Sequence, residues 1–169
     1  TSAGPALYWS DRVGRHNRIF RMPKFRSNII GTPAVATHLL TDPKAYLTPI
    51  GSFLRKSSLD ELPQLWSILV GDMSFVGPRP PLRRYVEKFP ELYGRVLHNR
   101  PGVTGLASVY FHRHEEWLLR NTTSTEETEE IYCRSCVPRK ARLDLIYQKN
   151  QSLCMDIMLM LKTVIKRLR

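Results

Sequence analysis

Between Leu62 and Val70 the apolar residues Leu62, Leu65, Trp66 and Leu69 recur at intervals of three and four, the period of one helix face. The spacing predicts a helix that Gly71 ends, with Trp66 turned toward the core. A shorter helix is expected over Ile50 to Arg55. Upstream, Pro5 to Arg26 holds two aromatic or β-branched runs separated by a Gly/Asn-bearing polar stretch, which is a hairpin pattern. Pro23 places the second run at an edge or a strand end, because proline has no N–H to give a ladder. Residues 28–48 show little periodicity and read as a loop with a short helix near Ala34 to Leu40.

Farther along, Gly77 to Pro81 is too proline-rich to be anything but an extended or turning connector. Short helices follow over Leu82 to Phe89 and Glu91 to Leu97, then a turn at Pro101 to Gly105 and a short strand over Leu106 to Phe111. Helices are expected over Thr125 to Cys136 and Lys140 to Lys149, separated by Pro138, and over Ser152 to Leu168 with Ser152 as N-cap. No internal repeat is present. The pattern describes an α+β fold: a mainly helical single domain over residues 1–169 with a small N-terminal β-hairpin.

Composition narrows the function class. With 169 residues and 42% hydrophobic content the chain can bury a core of its own. No stretch approaches the roughly 20 apolar residues of a spanning helix. Three cysteines are too few, and odd in number, for a disulfide framework, and point to a reducing compartment. Cys133 and Cys136 have a zinc-like spacing with His112 and His114 as conceivable partners, a weak pattern without a second spaced pair. Lys and Arg number 26 against 15 acids, a net +11 that calls for an anionic partner: nucleic acid, an acidic membrane surface or a phosphorylated substrate. Both ends are basic. In the last helix Leu153, Ile157, Met160, Leu161, Val164, Ile165 and Leu168 accompany Lys162, Lys166, Arg167 and Arg169, which suits either the helix macrodipole or an anionic bilayer.

The adjacent carboxylates Asp60 and Glu61 carry the chemistry. Two purely structural readings exist: Ser58 and Glu61 fit a capping box, and Asp60 could itself be the N-cap, with Pro63 in the first turn. The functional reading starts from the charge around them. An aspartate attacking a diphosphate approaches a group that is already negative, so the site needs a divalent cation and fixed guanidinium or ammonium groups. Lys24, Arg26, Arg55 and Arg79 are the candidates, and Glu61 is suited to Mg²⁺, which takes one or two carboxylates plus phosphate oxygens. A helix start at this point would favour bound phosphate and lower the pKa of Asp60.

The series Arg12-Val13-Gly14, Lys24-Phe25-Arg26-Ser27, Leu47-Thr48-Pro49-Ile50-Gly51, Ser58-Leu59-Asp60-Glu61-Leu62-Pro63-Gln64, Gly71 to Pro80 and Pro101 to Gly105 resembles the bacterial sugar transferase family, in order and over most of the chain. The resemblance implies a monotopic, Mg²⁺-dependent phosphoglycosyl transferase on the cytoplasmic face of the inner membrane. Such an enzyme moves a sugar 1-phosphate from a UDP-sugar to a polyprenol phosphate, usually undecaprenyl phosphate, releases UMP and begins the assembly of a glycan. It further implies a covalent phosphosugar on Asp60, Mg²⁺ at Glu61, and phosphate contacts from Lys24, Arg55 and Arg79, with Arg26 and Asp72 as weaker matches. A hydrophobic re-entrant helix is implied just before the segment equivalent to Ser2 to Leu7, and it is not among the 169 residues. Asn28 and Ser108 stand where methionine and glutamine are common in the family.

The basic hairpin and last helix would then face anionic lipid head groups, at about 1 kcal/mol per well-placed cation. Trp9, Trp66 and Trp117 are conceivable interfacial anchors, Trp66 less so at its helical spacing. The competing reading is a basic nucleic-acid-binding module, supported by Tyr8, Trp9 and Phe20 among arginines. It leaves the Asp-Glu pair unexplained, and nucleic acid is not the expected partner. A glycoside hydrolase is disfavoured because neighbouring helical residues diverge by about 100°, which makes facing carboxylates hard to arrange. The residues specify neither the sugar nor an oligomeric state.

Overall fold

The computed structural model describes residues 3–32 and 45–168. The helix expected near Ala34 to Leu40 lies outside the described residues. The N-terminal hairpin forms as the pattern predicts: β1 (Leu7–Val13) and β2 (Ile19–Phe25) pair antiparallel from Leu7↔Phe25 to Val13↔Ile19. In β2 the alternation buries Phe20 and Met22 and carries Lys24 onto the same inward face. Pro23 needs no ladder partner, because a two-stranded sheet consists of edges only.

Two short helices follow, α1 (Gly51–Ser57) and α2 (Gln64–Leu69), joined by a 3-10 turn over Leu59–Glu61. Gly51 packs so closely on the chain after β2 that a Cβ there would lie 2.1 Å from the Ser27 carbonyl oxygen. After Gly71, whose φ of +86° ends α2, the chain forms β3 (Ser74–Val76). β3 pairs in parallel with β4 (Gly102–Thr104), where the sequence suggests only a turn. The pair is three residues long and depends on glycine: a Cβ on Gly102 would sit 2.2 Å from the Gly77 amide nitrogen.

Between these strands lie the extended Pro78 to Pro81 segment, α3 (Arg83–Lys88) and α4 (Pro90–Val96). The strand expected over Leu106 to Phe111 is instead a helix, α5 (Leu106–Tyr110). Its adjacent residues Leu106 and Ala107 are both buried, which alternating strand faces would not allow. A further helix, α6 (His112–Leu119), continues from it.

α7 (Thr125–Ile131) begins with a true cap: the Ser124 hydroxyl accepts from the Glu127 N–H. It runs through a π-helical turn over Tyr132–Cys136 into α8 (Val137–Asn150), so the break expected at Pro138 does not occur. Proline in the first turn of α8 costs no regular hydrogen bond, and the wider π turn absorbs the change of register. The last helix, α9 (Leu153–Leu168), starts as predicted, with the Ser152 hydroxyl accepting from the Met155 N–H at 3.3 Å.

Two apolar clusters hold these elements together. Phe20, Met22 and Met73 join the hairpin to the segment before β3, with Ile68 of α2 and Val103 of β4 against them. Val76, Leu106, Tyr147 and Leu159 join β3, α5, α8 and α9. The buried Tyr147 hydroxyl donates to Asp156 Oδ1 at 2.6 Å, which fastens α8 to α9.

Candidate active site

Neither capping arrangement forms at the Asp60-Glu61 pair. Ser58 adopts a left-handed conformation (φ +57°) and its hydroxyl caps nothing, while Pro63 occupies the N-cap of α2. The two carboxylates therefore belong to a tight turn between helices. Glu61 is bonded to two of the surrounding cations, while the Asp60 carboxylate accepts from its own backbone N–H and feels Lys24 and Arg55 through space.

Glu61 is the better-enclosed carboxylate. Its Oε1 accepts from Lys24 Nζ and from Arg79 Nη2, each at 3.0 Å. Lys24 arrives along the inward face of β2. Arg79 arrives on the extended proline segment, which the hairpin fixes through Val13 N–H to Pro81 O at 3.1 Å and Arg12 Nη1 to Pro80 O at 3.4 Å. Burial would raise the Glu61 pKa, but Arg79 and Lys24 outweigh it and hold the carboxyl at about 2. Lys24 is shifted downward by burial first and by Arg79 second, which Glu61 offsets only in part.

Asp60 differs from its neighbour and from the expectation of a lowered pKa. Its carboxyl is pushed up, chiefly by burial and further by Glu61, while Lys24 and Arg55 pull it back. The helix-start argument fails here because the residue lies in a half-buried 3-10 turn, where desolvation outweighs backbone dipoles. Arg55 flanks the pair from α1 and is positioned by the Ser27 hydroxyl (3.0 Å) and Asn28 Oδ1 (2.9 Å). Thus Lys24, Arg55 and Arg79 converge on the two acids. Arg26 is turned toward the N-terminal segment, its Nε–H donating to the Pro5 carbonyl at 2.8 Å. Asp72 follows Gly71 in the bend before β3.

The family model for bacterial sugar transferases matches residues 1–169. The chain belongs to the bacterial sugar transferase family. Among curated relatives, this sugar transferase chain is 35% identical to the galactosyl transferase CpsE of Streptococcus agalactiae over 95% of its length and 34% of the relative's. It is 35% identical to an undecaprenyl-phosphate galactose phosphotransferase of Salmonella typhimurium, over 95% of the chain and 33% of that protein. It is 33% identical to a UDP-glucose:undecaprenyl-phosphate glucose-1-phosphate transferase of Klebsiella pneumoniae, over 98% and 33%. The chain thus spans about a third of the length of the curated relatives it matches.

Lys24 and Arg79 also border a cleft of about 260 Å³, and several of its walls were not expected from the sequence. Arg12, Tyr132, Lys140, Glu115 and Asp144 all reach it from distant regions of the chain. Glu115 takes both its oxygens to Lys140 Nζ at 3.1 Å, and the ammonium also donates to the Tyr132 hydroxyl at 3.3 Å. Arg12 titrates low for a guanidinium, at about 10, because it is enclosed and stands beside Arg79. Of these residues the sequence singles out Arg12 alone, within Arg12-Val13-Gly14.

The described residues offer no cluster of three or more His, Cys, Asp or Glu for a metal, so Cys133 and Cys136 gather no zinc set among them. A cation shared with substrate is a different matter. Both protein cations bond Oε1 of Glu61 and none of the described residues' bonds engages Oε2, and the buried Ser58 hydroxyl beside the pair has no partner among the described residues. One carboxylate oxygen plus substrate phosphate oxygens is an ordinary Mg²⁺ environment, so the residues fit that ion.

Proposed function

We propose that this domain transfers a sugar 1-phosphate from a UDP-sugar to a polyprenol phosphate, by way of a covalent phosphosugar on Asp60. The observation that carries the reading is the contrast between the two acids. Glu61 is fixed and neutralised by Lys24 and Arg79, whereas Asp60 beside it makes no ion pair among the described residues and accepts only from its own backbone N–H, with Lys24 and Arg55 acting on it through space. A carboxylate in that state is a nucleophile next to a prepared phosphate site.

An Asp60 oxygen attacks the phosphorus bearing the sugar. The bond between that phosphorus and the bridging oxygen breaks, and UMP departs with the electron pair. An oxygen of the polyprenol phosphate then attacks the same phosphorus, breaks the acyl phosphate bond and returns Asp60 as a carboxylate. Lys24, Arg55 and Arg79 neutralise phosphoryl oxygens through both steps, a role worth roughly 10²–10³ in rate per well-placed donor. Glu61 would hold a Mg²⁺ ion shared with the substrate, which would add charge neutralisation of the diphosphate.

The acceptor is a lipid, and the distribution of apolar side chains supports a bilayer-facing turn. α2 buries Gln64 and Ser67 and exposes Leu65, Trp66 and Leu69, with Leu62, Val70 and Phe53 exposed alongside. α9 likewise exposes Leu153, Ile157, Leu161, Val164 and Ile165. No helix among the described residues is long and apolar enough to cross a membrane, so the docking we propose is at the interface. The decisive assay is UMP release from UDP-sugars with Mg²⁺ and polyprenol phosphate: the parent releases UMP and Asp60→Asn does not. Release that persists in Asp60→Asn would remove the covalent mechanism.

A further inference from the structure

Lys24 and Arg79 are both bonded to a carboxylate, Glu61, whereas Arg55 acts on Asp60 through space and forms no ion pair with it among the described residues. A guanidinium fork matches the two oxygens of a carboxylate, so an arginine close to an unpaired carboxylate is drawn into a bidentate pair unless other groups hold it. Arg55 is held by the chain that leaves β2. Its Nε–H donates to the Ser27 hydroxyl at 3.0 Å and its Nη2 to Asn28 Oδ1 at 2.9 Å. Nε and Nη2 donate from one edge of the guanidinium plane, so that edge is filled and the Nη1 end of the fork is left.

The tether is itself fixed in place. The buried Ser27 presents its carbonyl to the Thr48 N–H at 2.9 Å and to the Thr48 hydroxyl at 3.2 Å, the Ile29 N–H donates to the Tyr46 carbonyl at 2.9 Å, and Asn28 forms an antiparallel bridge with Leu47. Gly51 opens α1 against the same Ser27 carbonyl, and a helical side chain one turn on leans back toward the helix start, which brings Arg55 over this segment. Ser27 belongs to the Lys24-Phe25-Arg26-Ser27 motif, but Asn28 stands where methionine is common in the family, and a thioether is only a weak acceptor. The second bond is therefore a feature of this chain rather than of the motif. Resting on the reading of Asp60 as nucleophile, we propose that Asn28, together with Ser27, is a positioning residue that holds the Arg55 guanidinium off the Asp60 carboxylate. The carboxylate keeps its oxygens for phosphorus, and the free end of the guanidinium keeps its N–H groups for a phosphoryl oxygen of the donor. Without the Asn28 bond a single hydroxyl is left to hold Arg55, and the arginine closes on Asp60.

The test is a double-mutant cycle between Asn28 and Arg55, read as UMP released in a single turnover by the whole chain with Mg²⁺, polyprenol phosphate and the UDP-sugar that the parent turns over. Asn28→Leu, near in size but without an acceptor, should melt as the parent does and slow release about tenfold, the effect of losing one hydrogen bond to a charged group. Asn28→Asp, which keeps the acceptor oxygen, should recover most of the rate. In an Arg55→Met background the Asn28→Leu change should have no effect, because Asn28 acts only through Arg55, whereas a merely structural role would slow both backgrounds alike. Asn28→Leu as fast as the parent, or a loss of equal size with and without Arg55, would overturn the proposal while Asp60 of the parent still takes up the sugar phosphate. A parent that releases UMP without any sugar phosphate on Asp60 would remove the nucleophile, and the proposal would fall with the reading it rests on.

Discussion

At the scale of single residues, Glu61 sets the charge balance of the site. Two cations converge on one of its oxygens, so replacing Glu61 with glutamine leaves Lys24 and Arg79 facing each other without an anion between them. Hydrogen bonds to charged groups are worth about 1.5–3 kcal/mol, and Glu61→Gln should lose stability of that order in urea unfolding at pH 7. Because the carboxyl titrates at about 2 in the folded protein against 4.5 ordinarily, its contribution is complete above 4.5. It fades as pH falls through 2, and the parent and variant curves should converge there. Lys24→Met should keep the fold but cut kcat/KM by about 10²-fold, with partial recovery in Lys24→Arg, since one phosphate-directed cation is gone. Asp144 behaves in the opposite sense. Its carboxyl titrates near 7 rather than 3.8, so the folded state is favoured below 3.8 and loses that advantage as pH rises through 7. Asp144→Asn should therefore melt higher than the parent at pH 8 and show no such gain at pH 4.

At the scale of elements, the turn between α1 and α2 is held by a residue in an unfavourable conformation. Ser58 is left-handed at φ +57°, which costs a non-glycine residue about 1–2 kcal/mol, more when it is β-branched. Ser58→Gly should be neutral or stabilising in thermal melting, and Ser58→Val should destabilise by about 1–2 kcal/mol and impair transfer by moving Asp60. A valine variant as stable as the parent would show that the turn is not strained. The same turn shows why some elements were legible and others not. The hairpin, α1, α3, α4 and the Ser152 cap follow from alternation, turn residues and capping, which act within a few residues of chain. β3 and β4 are three residues each, and their pairing depends on the close approach of Gly77 and Gly102, far apart in the chain, which local pattern does not encode. α5 was misread because Leu106 to Tyr110 mixes β-formers with an adjacent buried pair that only tertiary packing reveals.

At the scale of the whole molecule, the helical period of α2 was legible but its orientation was not. Periodicity shows that Leu65, Trp66 and Leu69 share a face, and the core instead took Gln64 and Ser67, leaving Trp66 60% exposed. A face of that kind in water forfeits about 25 cal/mol per Å² of apolar surface, which a bilayer would recover. Trp66→Ser with Leu69→Ser should leave the melting temperature nearly unchanged and weaken co-sedimentation with anionic phospholipid vesicles severalfold. The candidate site was legible in the same partial way. Asp60, Glu61, Lys24, Arg55, Arg79 and Arg12 stand in short motifs, whereas Tyr132 and Asp144 meet Arg12 only because the π turn and α8 fold with β1 around one cleft.

The proposed reaction converts Asp60 to an acyl phosphate, and intact-protein mass spectrometry tests that step most directly. Incubation with Mg²⁺ and a panel of UDP-sugars, without lipid acceptor, should add the mass of one sugar phosphate to the parent, map it to Asp60 and leave Asp60→Asn unlabelled. Absence of any adduct while the same preparation transfers sugar phosphate to polyprenol phosphate, or an adduct on another residue, would contradict the account.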